Sequence, residues 1–365
     1  MSYLTRINLD RTFFSEKEKL IAESGHLKAF IYLYDSGVHG LRIENALGYI
    51  ETLPYQGQQI WRCNLLGREL SMDSMFDKPV KTSNYLENYG GFLLHCGATA
   101  MGVPSESDDH PLHGELPNAR YEEAYLTVGE DKNGKFMALG GRYHHREAFN
   151  HNYIARPQIT IYESSSILDV SMVIENLKGT DVELMYMAHI NFKPVDHSEL
   201  VYSTDYDPEH VMVYDNIPSH MKAGSDMNEL VDYMEQLKTK PDLHHKVDPK
   251  LPYDPEIVFF IKYKEDEHGD AHSMQVHPDG YADYVSHKPS QLKYGVRWIC
   301  RTKDEDAMGL VLPATSGSRG YTREKALANV EILPAKQSVE FNMRLGILDP
   351  KQALAMREKI EAIKA

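Results

Sequence analysis

The stretch Leu168-Asp169-Val170-Ser171-Met172-Val173-Ile174 decides the fold class. From Asp169 onward polar and apolar residues take turns, the pattern of an antiparallel strand with one dry face and one wet face. Turn-forming residues bound it: Glu163-Ser164-Ser165-Ser166 before, Asn176-Leu177-Lys178-Gly179 after. Outside those breaks the reading repeats, with strands expected at 159–162 and 182–188. Further upstream, 29–34 reads as a strand closed by Asp35-Ser36-Gly37, and 40–43 restarts the pattern. Downstream, 257–263, 295–300, 309–312 and 338–348 continue it.

Helical periodicity is scarce. Residues 227–238 fit one helix, and 351–364 fit a C-terminal helix that Asp349-Pro350 starts. The flanks of the first, 208–220 and 240–252, are rich in Pro, Asp and His, so about 205–252 reads as an insertion between strands. Gly140-Gly141-Arg142 reads as a turn followed by a strand. Many short strands and few helices imply an all-β sandwich or barrel, and the crossovers of a parallel sheet are missing. At 365 residues, with 42% hydrophobic composition, a single domain over 1–365 with a large core is expected.

Charge narrows the function. There are 39 basic and 54 acidic residues, a formal charge of −15, which disfavours nucleic acid as a partner. No apolar run approaches the ~20 residues that cross a bilayer, so no membrane partner is expected. Cys63, Cys96 and Cys300 have no paired spacing, which fits a reducing cytoplasm. Residues 1–20 lack the apolar core of a signal peptide. Oligomeric state is not legible.

Two segments carry candidate chemistry. In His110-Pro111-Leu112-His113-Gly114-Glu115-Leu116-Pro117-Asn118 the prolines and the glycine fix an irregular backbone around His113. His113 is then either rigidly presented or a solvated loop residue. His189 ends the apolar run Leu184-Met185-Tyr186-Met187-Ala188, and a buried imidazole there needs partners. Asn191 falls on the same side of an extended strand. With Phe192 the pair suits a sugar, hydroxyls to the polar groups and an apolar ring face to the aromatic. A core histidine bonded to a backbone carbonyl is the plainer alternative.

These segments resemble the two histidine motifs of the aldose 1-epimerase (galactose mutarotase) superfamily, Leu112-His113-Gly114 the first and His189-Ile190-Asn191-Phe192 the second. Segments 48–61, 90–97, 141–148, 152–156 and 174–176 run in the order of a bacterial branch of that superfamily. The likeness is clear over 25–200 and weaker over 255–348. It implies a β-supersandwich of mainly antiparallel strands, a small-molecule sugar substrate and no cofactor. It also implies anomer exchange by acid–base ring opening, with His189 as the acid and His113 holding the ring oxygen or a nearby hydroxyl.

The resemblance implies a glutamate base just before a Pro-x-Thr, and there this chain has Leu312 in Leu312-Pro313-Ala314-Thr315. Leucine takes no proton. Either another carboxylate serves, with Glu115, Glu147 and Asp196 as candidates, or the protein binds sugars without turning them over. Arg146, Arg156 and His110 are candidate grips on the substrate. Among 18 histidines, His110, His113 and His189 with Glu115 could instead form a metal site for an isomerase acting at another carbon; the favoured expectation is no metal. His144-His145 and His244-His245, read as strand residues, point to opposite faces and do not chelate.

Overall fold

The alternation in 168–174 becomes the strand Ile167–Asn176, in which every second side chain is buried. In Val182–Ile190 every side chain from Leu184 onward is buried. The computed structural model describes residues 3–214, 216–217, 221, 224 and 227–365. Among these residues, two large sheets hold the chain. One has nine strands, in the order Leu4–Asn8, Glu123–Asp131, Gly134–Glu147, His151–Tyr162, Ile167–Asn176, Ser338–Leu348, Ala282–His287, Ala271–Val276, Glu199–Tyr202. The other has thirteen, with Ile257–Ile261, Tyr294–Arg301, Asp306–Ala314, Val182–Ile190 and Leu93–Ala98 side by side near its middle. Neighbouring strands pair antiparallel throughout, as in Val258 opposite Trp298 and His189 opposite Leu94. The fold is the expected all-β supersandwich.

The sheets meet face to face. Tyr186 of the larger stacks on Phe341 of the smaller, ring centroids 4.8 Å apart and 4° from parallel. Such a pair adds ~0.5–1.5 kcal/mol beyond the area it buries. The interior is a large cluster of aliphatic and aromatic side chains contributed by both sheets. Trp61 stands outside it, in a small cluster with Val38 and Leu53. The C-terminal helix Pro350–Lys364 begins as its sequence signal requires: Asp349 accepts from the Gln352 amide, and the Gln352 side chain returns the bond. Ala353 and Ile360 seal its apolar stripe against Met274 and Tyr284 of the smaller sheet.

Two local expectations change. Gly140 and Gly141 are not a turn; they sit inside the continuous strand Gly134–Glu147, paired with Gln158 and Ala124. A Cβ on Gly140 would come 2.6 Å from the Tyr125 ring, and one on Gly141 2.1 Å from the Gln58 amide. These glycines allow close packing rather than chain reversal. His244 and His245 are not strand residues either. His244 ends the 3-10 turn Pro241–His244 and bonds the buried Arg297 at 2.8 Å.

Within 205–252, Val211–Tyr214 pairs with Ile257–Ile261 at the sheet edge. The helix Met227–Leu237 buries Leu230, Tyr233, Met234 and Leu237. The rest of the expected insertion, at 215, 218–220, 222–223 and 225–226, lies outside the described residues.

Candidate functional site

Side-chain alternation along Val182–Ile190 creates the site. Tyr186 turns toward the smaller sheet, so Met187 and His189, on the opposite side of the strand, look outward. There they form the floor of a cavity of about 500 Å³. Its walls are largely apolar and aromatic, including Tyr85, Tyr89, Val296 and Trp298. A volume of this size suits one small molecule.

His113 reaches the same cavity from a loop. Its φ of 59° and the 81° of Gly114 place both in the left-handed region. His113 holds that costly conformation through two backbone bonds, donating to the Gly102 carbonyl at 3.0 Å and accepting from the Gly97 amide at 2.9 Å. A Cβ on Gly114 would lie 2.3 Å from the Ala100 carbonyl, so only glycine fits there. The His113 and His189 rings meet edge to face, 5.4 Å apart at 85°. Tyr85 packs on His113 at 4.8 Å, and Trp298 on His189 at 5.4 Å.

The tautomer of His189 follows from its neighbours. The Asn191 amide nitrogen donates to the Gly91 carbonyl at 2.9 Å, which leaves Asn191 Oδ1 facing His189 Nδ1 at 2.7 Å. Oδ1 only accepts, so Nδ1 carries the hydrogen and Nε2 keeps a lone pair. Burial lowers the ring to about 4, against which the Asn191 bond acts weakly. His189 is therefore neutral at pH 7, with Nε2 a proton acceptor.

Four acidic residues absent from the sequence candidates line the same cavity, among them Glu256 and Glu305. Glu256, 8% exposed, precedes the strand Ile257–Ile261 and accepts from the Trp298 indole at 2.6 Å. Burial pushes it up to about 7, although that hydrogen bond pulls the other way. Glu305, in the turn between Tyr294–Arg301 and Asp306–Ala314, is also raised to about 7 by burial, the Met75 amide opposing. Its Oε2 is buried with no hydrogen-bond partner among the described residues. No local pattern marks either glutamate; strand pairing brings Glu256 to Trp298, and the turn after that strand carries Glu305 into the same cavity.

The remaining candidates are scattered. Leu312 does line the cavity. Glu115 instead caps a loop: the Ala98 and Thr99 amides, the Thr99 hydroxyl and Tyr153 all donate to it. Asp196 pairs with Arg301 at 2.8 Å, and Glu147 lies 3.8 Å from His151. Arg146 pairs with Glu122, and Arg156 with Glu175. His110 faces Asp108 and the Tyr321 amide. Asn191 orients His189, while Phe192 is fully buried against Phe92. The four residues of the alternative metal site do not gather; among the described residues the group close enough to share an ion is Asp205, Asp207 and His210, on a loop. No helix among the described residues is long and apolar enough to cross a membrane.

Comparison with known proteins bears on the fold. Residues 35–200 match the model of a domain of unknown function (DUF4432). No curated protein matches the chain. A candidate aldose 1-epimerase from Klebsiella pneumoniae superposes over 100% of this chain and 96% of its own, with a TM-score of 0.77 at 16% identity. A candidate aldose 1-epimerase from Escherichia coli covers 91% and 99%, at 0.52 and 13%. A galactose mutarotase-like protein from Lactobacillus casei covers 85% and 100%, at 0.53 and 12%. The chain has the fold of aldose 1-epimerase-like proteins.

Proposed function

We propose that the chain binds a cyclic sugar in this cavity and interconverts its anomers by proton transfer. The observation that carries the proposal is that His113 meets His189, and His189 and Glu256 both meet Trp298, in one cavity of sugar size. Mutarotation needs one group to take the proton of the anomeric hydroxyl and another to protonate the ring oxygen. The neutral His189, with Nε2 open, is suited to the first task. Glu256 keeps its proton up to about pH 7 and is suited to the second. Ring opening moves one proton onto His189 and one off Glu256; after rotation about C1–C2, closure returns both. This reverses the role of acid that the resemblance implies for His189. It also supplies the carboxyl group missing at Leu312. His113 then holds a neighbouring hydroxyl. Asp196 and Glu115 are given no part in proton transfer, since each is already engaged elsewhere.

NMR exchange spectroscopy on free aldoses tests the reading: the protein accelerates exchange between α and β anomers of at least one sugar. A folded protein that leaves every aldose at its buffer rate overturns it. Leu312 on the cavity wall favours a second reading, sugar binding without turnover. Calorimetric binding with no anomer exchange is its signature.

A further inference from the structure

The charges around the cavity are one-sided. Among the described residues that line it are Asp254, Glu256, Asp304 and Glu305, with Lys303 as the cation and no arginine. Arg146 and Arg156, the cations that would grip a phosphate or a uronic acid, are both held by surface glutamates. The carboxylates are unequally occupied. Glu256 is bonded to Trp298, and Asp254 accepts from the Gly224 amide. Glu305 retains a buried oxygen without a hydrogen-bond partner among the described residues. The same cavity is lined by the rings of Tyr85, Tyr89 and Trp298, a second feature that attracts cations.

We infer that the cavity selects sugars bearing an ammonium group, amino sugars, over neutral and anionic sugars, with Glu305 receiving the ammonium. The inference rests on the reading that a sugar occupies this cavity. Burying a carboxylate without a paired cation is costly, and a cation brought against it removes that cost. This is why both Glu305 and Glu256 hold protons so far above the ordinary carboxylate range. An anionic substituent would face the carboxylates of Asp254 and Asp304 and oppose ionisation of Glu256 and Glu305, while an ammonium favours that ionisation and completes a charge-assisted hydrogen bond. The net −15 of the whole chain acts in the same direction at longer range.

Isothermal titration of the full chain with 2-amino-2-deoxy sugars of the gluco, galacto and manno series tests it, alongside the parent aldoses, the N-acetyl derivatives and the 6-phosphates. The expected order is amino sugar tightest, by about tenfold or more over the parent, as a hydrogen bond to a charged group implies. N-acetylation, which removes the charge, abolishes the advantage, and the phosphates bind weakest. In Glu305→Gln the ratio of amino-sugar to parent affinity falls to near one. Phosphates binding as well as parents, or a ratio unchanged in Glu305→Gln, overturns the inference. Anomer exchange of neutral sugars without any preference for the amine overturns this specificity while leaving the proposed activity standing; no binding by any sugar sinks both.

Discussion

His95 and His189 stand on adjacent strands of the larger sheet, and by most measures they are alike. Each is almost wholly buried, and burial lowers each to about 4. They differ in the face they occupy. His95 points between the sheets, where Nδ1 meets the Tyr186 hydroxyl at 2.8 Å and Nε2 is sealed without a partner among the described residues. His189 points the other way, its Nδ1 fixed by Asn191 and its ring on the cavity floor. Burial and a shifted pKa therefore do not mark a reactive histidine in this molecule. A side chain becomes available for chemistry when its strand turns it to the open face and a neighbour fixes which nitrogen is bare.

The sharpest way to break this contrast is to remove each ring. His189→Ala is expected to slow anomer exchange by ~10²–10⁴-fold, the usual worth of a general acid or base, with sugar affinity far less affected. His95→Ala leaves the rate near wild type and lowers stability by ~1–3 kcal/mol, read from urea denaturation, because the Tyr186 hydroxyl loses its partner inside the core. Equal rate losses in the two variants would show that the face does not matter.

Next comes the partner carboxyl. Exchange in the wild type follows a bell against pH: it falls below about 4, where His189 takes up a proton, and above about 7, where Glu256 gives its proton up. Glu256→Gln is expected to cost about a hundredfold in rate and to erase the upper limb. A surviving limb near pH 7 would assign it to another group, Glu305 first.

The two rings act alike on stability. Each has its folded-state pKa depressed from 6.5 to about 4, so the unfolded chain binds more protons in that window. Stability is then fully present above about 6.5 and lost as pH falls toward 4. His95→Gln, which cannot be protonated, flattens the fall in denaturant midpoint across that window without changing the exchange profile. The smallest effect is that of Tyr186→Phe, expected to cost ~1 kcal/mol of stability and nothing in rate.

The sequence exposes the parts of this molecule whose cause is local. Alternation at 168–174, the apolar run ending at His189 and the capping pair of Asp349 and Gln352 each declare their element within a few residues. His113 and His189 were legible because turn residues and an apolar strand surround them. Glu256 and Glu305 were not, since each is unremarkable until strand pairing sets Ile257–Ile261 against Tyr294–Arg301 and folds that strand back through the turn holding Glu305. Glu115, Glu147 and Asp196, candidates for the carboxyl missing at Leu312, lie elsewhere because the fold engages them: the left-handed turn at His113-Gly114 sends Glu115 back under Ala98 and Thr99, Glu147 lies by His151, and Asp196 pairs with Arg301. Gly140-Gly141 looked like a chain reversal because a close approach from Tyr125 and Gln58 leaves no mark of its own in the sequence.

Trp298 has a further use. The chain has two tryptophans, and Trp61 is sealed in a separate cluster with Val38 and Leu53. Trp298 touches His189 with its ring and Glu256 with its indole nitrogen. Its emission thus reports directly on what occupies the cavity and on whether Glu256 is charged. With Trp61 replaced by phenylalanine, the protein becomes its own single-dye optical sensor, able to follow ligand arrival in real time with no label attached.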